Sequence, residues 1–214
     1  MTIPSLYQIY LSCTGVSTDT RAIKPGNIYF ALKGDNFDGN KFSEQALNSG
    51  ATHAVIDNAD YAGPKTILVN DVLTTLQELS KYHRQQLTIP VIGLTGSNGK
   101  TTTKELIAAA LSTKYKVAFT KGNLNNHIGV PLTLLSITKE HEIAIVEMGA
   151  NHQKEIEFLS SLCQPDYGYI TNFGKAHLEG FGGIEGVIKG KSELYDFLRT
   201  KNRKAFVNID DSKQ

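Results

Sequence analysis

Two hydrophobic patterns alternate along the chain: short apolar runs of strand length, and longer stretches of helical spacing. The apolar runs lie at Ile28–Leu32, His53–Ile56, Thr66–Val69, Ile89–Leu94, Val117–Phe119, Glu142–Met148, Tyr167–Ile170 and Ala205–Val207. The stretches of helical spacing lie at Phe42–Leu47, Val72–Tyr82, Thr101–Leu111, Ile156–Leu162 and Glu185–Leu198. Strands that alternate with helices predict an α/β protein whose mostly parallel sheets are covered on both faces.

The same pattern divides the chain into two predicted domains. Residues 1–85 predict a small α/β domain, and residues 86–214 predict a larger domain with a mostly parallel sheet. Only residues 208–214 follow the last predicted strand, whereas a strand that opens another β–α step should lead into a helix. We therefore expect the chain to stop partway through its second domain.

Composition excludes several classes of function. With 22 basic and 21 acidic residues and no long run of either sign, neither nucleic acid nor a membrane is an expected partner. The N-terminus does not resemble a signal peptide, and no apolar run approaches the roughly 20 residues of a membrane helix. Cys13 and Cys163 lack metal-ligand spacing and are expected to be reduced thiols. We expect a cytoplasmic, soluble monomer.

A glycine-rich segment between a predicted strand and a predicted helix carries the strongest chemical signal. It reads Thr95-Gly96-Ser97-Asn98-Gly99-Lys100-Thr101-Thr102. In this context glycines let backbone N–H groups converge on phosphate oxygens, and the helix start adds positive potential. We expect Lys100 to reach the β- and γ-phosphates of ATP and Thr101 to bind the bridging Mg²⁺. Leu94 replaces the first glycine of the strict motif, so a glycine-rich turn with an incidental lysine is the alternative.

Polar residues after later elements are candidates for the same site. Glu147 ends the best predicted strand, and the carboxyl ends of parallel strands face the ligand crevice, so it is a candidate Mg²⁺ ligand. His177 follows the next strand, although a surface histidine is the simpler interpretation because Mg²⁺ prefers oxygen. On chemistry alone, Lys189 and Lys191 are surface lysines of the last helix.

Taken together, these segments resemble the Mur ligases of bacterial cell-wall synthesis. The phosphate loop, including Leu94, is similar to the ATP loop of the whole family. Three further segments resemble the branch of the family that joins D-alanyl-D-alanine to a UDP-N-acetylmuramoyl-tripeptide. These segments are Gly122–Pro131, Val146–Asn151 and Asn172–Gly180. Four segments near the N-terminus resemble the UDP-binding domain of the family: Val16–Arg21, Pro25–Gly26, Phe30–Gly34 and Phe37–Gly39. Asn40 stands where many relatives have histidine. The resemblance spans nearly the whole chain, but family members are longer and end in a third domain that helps to bind the incoming amine.

This resemblance implies an amide ligase that uses ATP and Mg²⁺. The terminal carboxylate of the UDP-linked tripeptide becomes an acyl phosphate, which the amine of D-alanyl-D-alanine then attacks. The implied catalytic residues are Lys100, Glu147, His177 and Lys191. The implied metal ligands are Thr101, Glu147, His177 and Lys191, the last as a carbamate, with Lys189 as the neighbouring possibility for this modification. Carbamylation would turn a cation into an oxygen ligand that suits Mg²⁺. The implied substrate contacts are Ser17, Asp19, Thr20, Arg21, Lys33, Asp38, Asn125 and Asn126.

Other functions stay open at this point. The Mur ligase branch that adds the third amino acid shares the chemistry and differs in the amine. A folate-polyglutamate ligase shares the ATP loop but would lack the UDP-binding segment. A nucleotide-binding switch without ligase activity is a further class, although the guanine-reading Asn-Lys-x-Asp run of a GTPase is absent. A chain that lacks the C-terminal domain would bind ligands without catalysing the reaction.

Overall fold

A parallel sheet of four short strands organises the first unit, Met1–His83, of the computed structural model, which describes residues 1–214. Along the chain its elements are α1 (Ile3–Leu11), β1 (Gly15–Ser17), β2 (Asn27–Phe30), β3 (Lys33–Gly34), β4 (Phe37–Asp38), α2 (Ser43–Asn48), β5 (His53–Ile56), β6 (Thr66–Leu68) and α3 (Val72–Gln86). The sheet order is β1-β2-β5-β6, and β3 and β4 form a separate antiparallel hairpin. The end of the first unit falls inside α3.

Small residues on α2 and β5 let the helix lie close to this sheet. Ala46 of α2 packs with Tyr29 of β2 and with Ala54 and Ile56 of β5 in one buried cluster. All four residues of β2 are buried, which matches its position inside the sheet between β1 and β5. The apolar runs of the sequence therefore predicted the strands that contribute to the core of this unit.

Helix α1 was missed by the sequence analysis although its sequence carries a start signal. The Thr2 side chain accepts from the backbone N–H of Ser5, and a proline lies in the first turn. A threonine cap followed by an early proline is typical of a helix N-terminus. Because Leu6, Tyr7 and Tyr10 are buried, the apolar face of α1 contributes to the core.

The second unit, Arg84–Gln214, is built on a five-stranded parallel sheet. Its elements are β7 (Val91–Thr95), α4 (Lys100–Ser112), β8 (Val117–Phe119), α5 (Gly129–Leu135), β9 (Ile143–Glu147), α6 (Glu155–Cys163), β10 (Tyr167–Ile170), α7 (Leu178–Phe181), α8 (Ile184–Thr200) and β11 (Lys204–Phe206). Every predicted strand and helix is present, with bounds shifted by a few residues, whereas α5 and α7 were not predicted. No helix in either unit has the length and apolar character needed to span a membrane.

Successive residues of the central strands point to opposite faces of this sheet. Val146 of β9 packs on one face with Leu159 of α6 and Leu194 of α8. Ile145 packs on the other face, in a cluster with Ala108 of α4. The predicted α/β sheet with both faces covered is therefore confirmed.

Strand order places three loops at one edge of the sheet. The order is β11-β10-β7-β9-β8, so β7 lies between β10 and β9. Leu94 of β7 is in register with Glu147 of β9, and Thr95 is in register with Ile170 of β10. From β7 the chain passes to β8 and β9 on one side, and then to β10 on the other side. The strand order therefore reverses beside β7, and α/β proteins bind ligands at such a topological switch point.

Candidate functional site

The segment after β7 has the backbone shape of a phosphate-binding loop. Gly96 has a φ of 143°, and a Cβ at this position would collide with the hydroxyl of Thr171. Gly99 has a φ of 76°, in the left-handed region, directly before α4 begins. Both positions therefore require glycine. Leu94, the departure from the strict motif, is a buried residue of β7 and lies upstream of the turn.

Lys100 folds back over this loop. Its Nζ donates to the carbonyl oxygens of Gly96, at 2.8 Å, and of Ser97, at 3.2 Å. Burial lowers the pKa of the Lys100 ammonium, and the nearby Glu147 carboxylate acts in the opposite direction. A phosphate ligand would exchange these two carbonyl oxygens for its own oxygens.

The loop after β10 clamps the tip of the phosphate loop. The Asn172 side chain accepts from the N–H of Asn98, at 3.2 Å, and donates to the carbonyl oxygen of Asn98, at 3.0 Å. The N–H of Ser97 donates to the Asn172 carbonyl at 3.0 Å, and the Thr171 hydroxyl donates to the Asn98 carbonyl at 2.6 Å. The segment was expected from its resemblance to the family, but these contacts could not be predicted from the sequence.

Glu147 ends β9 beside the start of α4, and its side chain is only 1% exposed. Its Oε1 accepts from Nδ2 of Asn125, at 2.8 Å, and from the Thr101 hydroxyl, at 3.4 Å. Its backbone N–H donates to the Thr120 hydroxyl at 2.9 Å, whereas its Oε2 has no hydrogen-bond partner. The Glu147 carboxylate and the Thr101 hydroxyl, whose oxygens lie 3.4 Å apart, are both hard oxygen donors. These residues therefore fit Mg²⁺.

Two asparagines of the loop before α5 have defined structural partners. Besides its side-chain bond to Glu147, Asn125 accepts at its backbone carbonyl from the N–H of Gly149, at 2.7 Å. Oδ1 of Asn126 accepts from the N–H groups of Ile128 and Gly129, where α5 begins. Asn125 was expected to contact the substrate; the structure places its amide on the candidate metal-binding carboxylate.

A cavity of about 400 Å³ lies beside Lys100 and these two asparagines. Its lining includes Lys100, Asn125, Asn126, His127, Asn151, Glu155 and His177. His177 is exposed, has a φ of 52°, and lies directly before α7. The structure thus brings His177 to the same cavity as Lys100, but gives it no direct contact with Glu147.

Lys191 is buried, with 2% exposure, so the surface position expected from chemistry alone is wrong. Its Nζ donates to the Ala150 carbonyl at 3.0 Å and lies 4.9 Å from the centre of the Phe181 ring. Burial, followed by the proximity of Lys100, lowers the pKa of Lys191 to about 8. Lys189, by contrast, is exposed, as its surface interpretation predicted.

Two carboxylates fix the turn that carries the partner of Lys191. Glu193 of α8 accepts from the N–H of Lys154, at 2.6 Å, and from the N–H of Glu157, at 2.9 Å, at the start of α6. Glu155 accepts from the N–H groups of residues 151 and 152. These bonds satisfy backbone donors that a helix start leaves unpaired. Sequence analysis missed Glu193, because its partners lie 36 and 39 residues away.

In the first unit, four candidate residues share the turn after β1. The Asp19 carboxylate accepts from the Arg21 backbone N–H and pairs with the Arg21 guanidinium at 2.7 Å. The Arg21 side chain holds the pKa of Asp19 at about 2. Ser17 donates to the Asp19 carbonyl at 2.9 Å, and Thr20 begins the short helical turn that contains Arg21.

Lys33 and Asp38 belong to a polar network centred on Asn40, which is fully buried. The Asn40 amide donates to Asp38, at 2.7 Å, and to Asp57, at 2.9 Å, and its Oδ1 accepts from the Asp57 N–H at 3.0 Å. Lys33 Nζ pairs with Asp57 at 2.7 Å. Asn40 is therefore a structural residue that fixes the β3–β4 hairpin.

Two family models together match nearly the whole chain. The model of the Mur ligase family, catalytic domain, matches residues 12–92, and the model of the Mur ligase middle domain matches residues 94–214. The UDP-N-acetylmuramoyl-tripeptide–D-alanyl-D-alanine ligase of Bacillus subtilis (strain 168) is 46% identical over 188 residues, covering 86% of this chain and 41% of that protein. The ligase of the same name from Escherichia coli (strain K12) is 42% identical over 202 residues, covering 94% and 44%.

Solved structures give the same result. A crystal structure of MurF from Acinetobacter baumannii aligns with a TM-score of 0.82 at 34% identity, covering 95% of this chain and 52% of that one. The MurF ligase from Thermotoga maritima in complex with ADP aligns with a TM-score of 0.79 at 30% identity, covering 92% and 50%. The chain thus spans less than half the length of these curated relatives and about half the length of these structures. It belongs to the Mur ligase family.

Proposed function

We propose that the chain forms the ATP-binding and UDP-substrate-binding parts of a ligase that joins D-alanyl-D-alanine to UDP-N-acetylmuramoyl-tripeptide. The observation that carries this proposal is that three groups are linked to the lining of one cavity. Lys100 of the phosphate loop lines it, Glu147 accepts from the lining residue Asn125, and the buried Lys191 donates to the carbonyl of the lining residue Ala150. The relatives with 42–46% identity that carry this name support the choice of amine and acceptor. The reaction belongs to peptidoglycan precursor synthesis.

ATP is needed because a carboxylate is a poor acylating agent at neutral pH. Transfer of the γ-phosphoryl group to the carboxylate of the tripeptide gives an acyl phosphate, and attack by the amine then expels phosphate and leaves an amide. Lys100 and the backbone N–H groups of the phosphate loop stabilise negative charge on the phosphoryl oxygens. Thr101 and Glu147 would hold Mg²⁺, which neutralises part of the same charge when it is bound.

Lys191 is proposed to carry a carbamate, as the resemblance implies. Only a neutral amine attacks CO₂: the nitrogen–carbon bond forms, and the nitrogen loses a proton. Since burial lowers the pKa of Lys191 to about 8, its neutral form is accessible near neutral pH. The product is an anion whose oxygens suit Mg²⁺, in a position where the ammonium now donates to Ala150.

The carbamate can be tested by carbon-13 NMR after addition of labelled bicarbonate. We expect a carbamate resonance that grows as pH rises through about 8, because the fraction of neutral Lys191 amine grows over this range. Lys191→Ala should remove the resonance, and Lys189→Ala, at an exposed position on the same helix, should leave it unchanged. A resonance that survives Lys191→Ala would assign the carbamate elsewhere.

The proposed function is tested by calorimetry on the folded 214-residue chain and by turnover in a full-length version. We expect the chain to bind both MgADP and UDP-N-acetylmuramoyl-tripeptide. Lys100→Ala should weaken MgADP binding roughly 10- to 100-fold, while the affinity for the UDP substrate is retained. In the full-length enzyme, amide formation that survives Lys100→Ala would show that the loop is not the ATP site of the reaction.

A further inference from the structure

Lys104 is a fully buried lysine of α4 that the proposed reaction does not use. Its side chain has 0% exposure, although it lies on the helix that begins with Lys100 and Thr101. Its Nζ lies 3.1 Å from Oε1 of Glu105, 3.9 Å from Oε2 of Glu147 and 5.9 Å from the centre of the Phe119 ring. None of these contacts has hydrogen-bond geometry. A buried ammonium is costly unless a charge compensates it, so the identity of its counter-charge matters.

Glu147 is the principal counter-charge of Lys104, even though Glu105 is nearer. The Glu105 side chain is 53% exposed, so water screens its charge, whereas the Glu147 side chain is 1% exposed. Lys104 is likewise the principal counter-charge of Glu147. Oε1 of Glu147 is held by Asn125 and Thr101, while Oε2 has no hydrogen bond and faces Lys104. Two buried atoms without hydrogen bonds thus face each other at the base of the candidate metal site.

We propose that Lys104 is a positioning residue, the built-in counter-ion of Glu147. It neutralises the carboxylate from the α4 side and leaves Oε1 turned towards Thr101 and the phosphate loop. The proposal rests on the proposed role of Glu147 in holding Mg²⁺. Without Mg²⁺, Lys104 balances the buried carboxylate; with Mg²⁺, two cations share one carboxylate and repel each other. Lys104 therefore stabilises the metal-free protein and lowers its affinity for Mg²⁺, an effect that the negative charge of a bound nucleotide would offset.

The pair is tested first without metal, by a double-mutant cycle in EDTA. The variants are Lys104→Met, which keeps most of the aliphatic volume, Glu147→Gln, and the double variant; Lys114→Met, at an exposed position just after α4, is the control. We expect each single variant to lower the thermal midpoint of the second unit by roughly 5–10 °C, and the double variant to lose no more than one single variant. Losses that add would overturn the proposal, because a packing role alone gives additive effects.

The second measurement follows the thermal midpoint during titration with MgCl₂. We expect the half-saturating Mg²⁺ concentration to fall at least roughly tenfold in Lys104→Met, since one of two competing cations is gone. An equal concentration in Lys104→Met and the wild type would overturn the inference and leave the proposed function intact. A Mg²⁺ response that persists unchanged in Glu147→Gln would instead remove Glu147 from the metal site, and the cycle in EDTA would still decide whether Lys104 pairs with it.

Discussion

The two units place their charged candidate residues in opposite environments. In the second unit Lys104, Glu147 and Lys191 are almost completely buried, whereas the side chains of Arg21 and Lys33 in the first unit are 87% and 47% exposed. Buried charges need fixed partners, because their desolvation is costly, while exposed charges stay hydrated and adjustable. The second unit is thus suited to hold reacting groups in one geometry, and the first is suited to recognise a ligand that arrives from solvent.

The thiols offer the largest contrast between the units. Cys13 of the first unit is partly exposed, whereas burial raises the pKa of Cys163 in the second unit to about 12. A buried thiol with a raised pKa is neither ionised nor accessible at pH 8, so a maleimide should modify Cys13 in the native chain and Cys163 only after unfolding. Mass spectrometry of the labelled peptides measures this difference.

The same shift gives an alkaline limit to stability. Between its ordinary pKa of 9.0 and about 12, the Cys163 thiol ionises in the unfolded chain but not in the folded one. The contribution of Cys163 to stability is therefore complete below pH 9 and is lost as pH rises towards 12. If a maleimide labelled Cys163 in the native chain at pH 8 faster than the chain unfolds, the burial of this thiol would be contradicted.

Unlike the exposed Arg21 and Lys33, Asn40 is a fully buried polar residue of the first unit. Its replacement should have the largest effect on stability. Asn40→Ala removes the amide that donates to both Asp38 and Asp57 and leaves the N–H of Asp57 without its acceptor, which should cost about 3 kcal/mol of unfolding free energy. Urea denaturation measures the loss. Asn58→Ala, which removes only the exposed bond to the Asp60 N–H, is the control and should cost about 1 kcal/mol or less. Equal losses would show that the network adds little.

Glu193 tests whether the buried carboxylates of the second unit fix its loops. Glu193→Ala removes the acceptor of two backbone N–H groups at the start of α6 and should cost about 2 kcal/mol, and Glu193→Gln should recover part of this loss. Asp196→Ala, at an exposed position on the same helix, should change stability by less than about 0.5 kcal/mol. If Glu193→Ala had no larger effect than this control, the turn would be held by other contacts.

Arg21 should give the smallest change in stability. Because its pair with Asp19 is exposed, we expect Arg21→Ala to leave the urea midpoint of unfolding nearly unchanged. The affinity for UDP-N-acetylmuramoyl-tripeptide should nevertheless fall roughly tenfold or more, since a charge-assisted bond to phosphate is lost. Calorimetry and urea denaturation of the same variant separate the two effects. A loss of stability without a loss of affinity would reverse the roles assigned to the two units.

The phosphate loop and the alternation of strands could be predicted because their signals are local. The glycines at 96 and 99, the strand before them and the helix after them all lie within one short segment. The hairpin of β3 and β4 could not be predicted in the same way, because strands of two residues are too short to show a period.

The contacts that define the site required the folded chain. The pairing of Asn125 with Glu147 joins residues that are 22 positions apart, and the bonds of Glu193 cross still longer separations. Lys191 shows the limit most clearly, because chemistry alone assigned it to the surface and only its resemblance to relatives indicated a role. Burial of a lysine is decided by the elements that pack around it, here the turn at Ala150 and the ring of Phe181.

The hydrogen bonds of Lys100 to the carbonyl oxygens of Gly96 and Ser97 have a consequence for the release of ligands from the phosphate loop. A ligand that enters the phosphate loop exchanges the carbonyl oxygens of Gly96 and Ser97 for its own oxygens, so each new contact contributes only a difference between two hydrogen-bonded states. Affinity then accumulates only over many simultaneous contacts, which a nucleotide with several phosphates can offer. A single phosphate ion offers few contacts, so under the proposed function the loop should release it quickly.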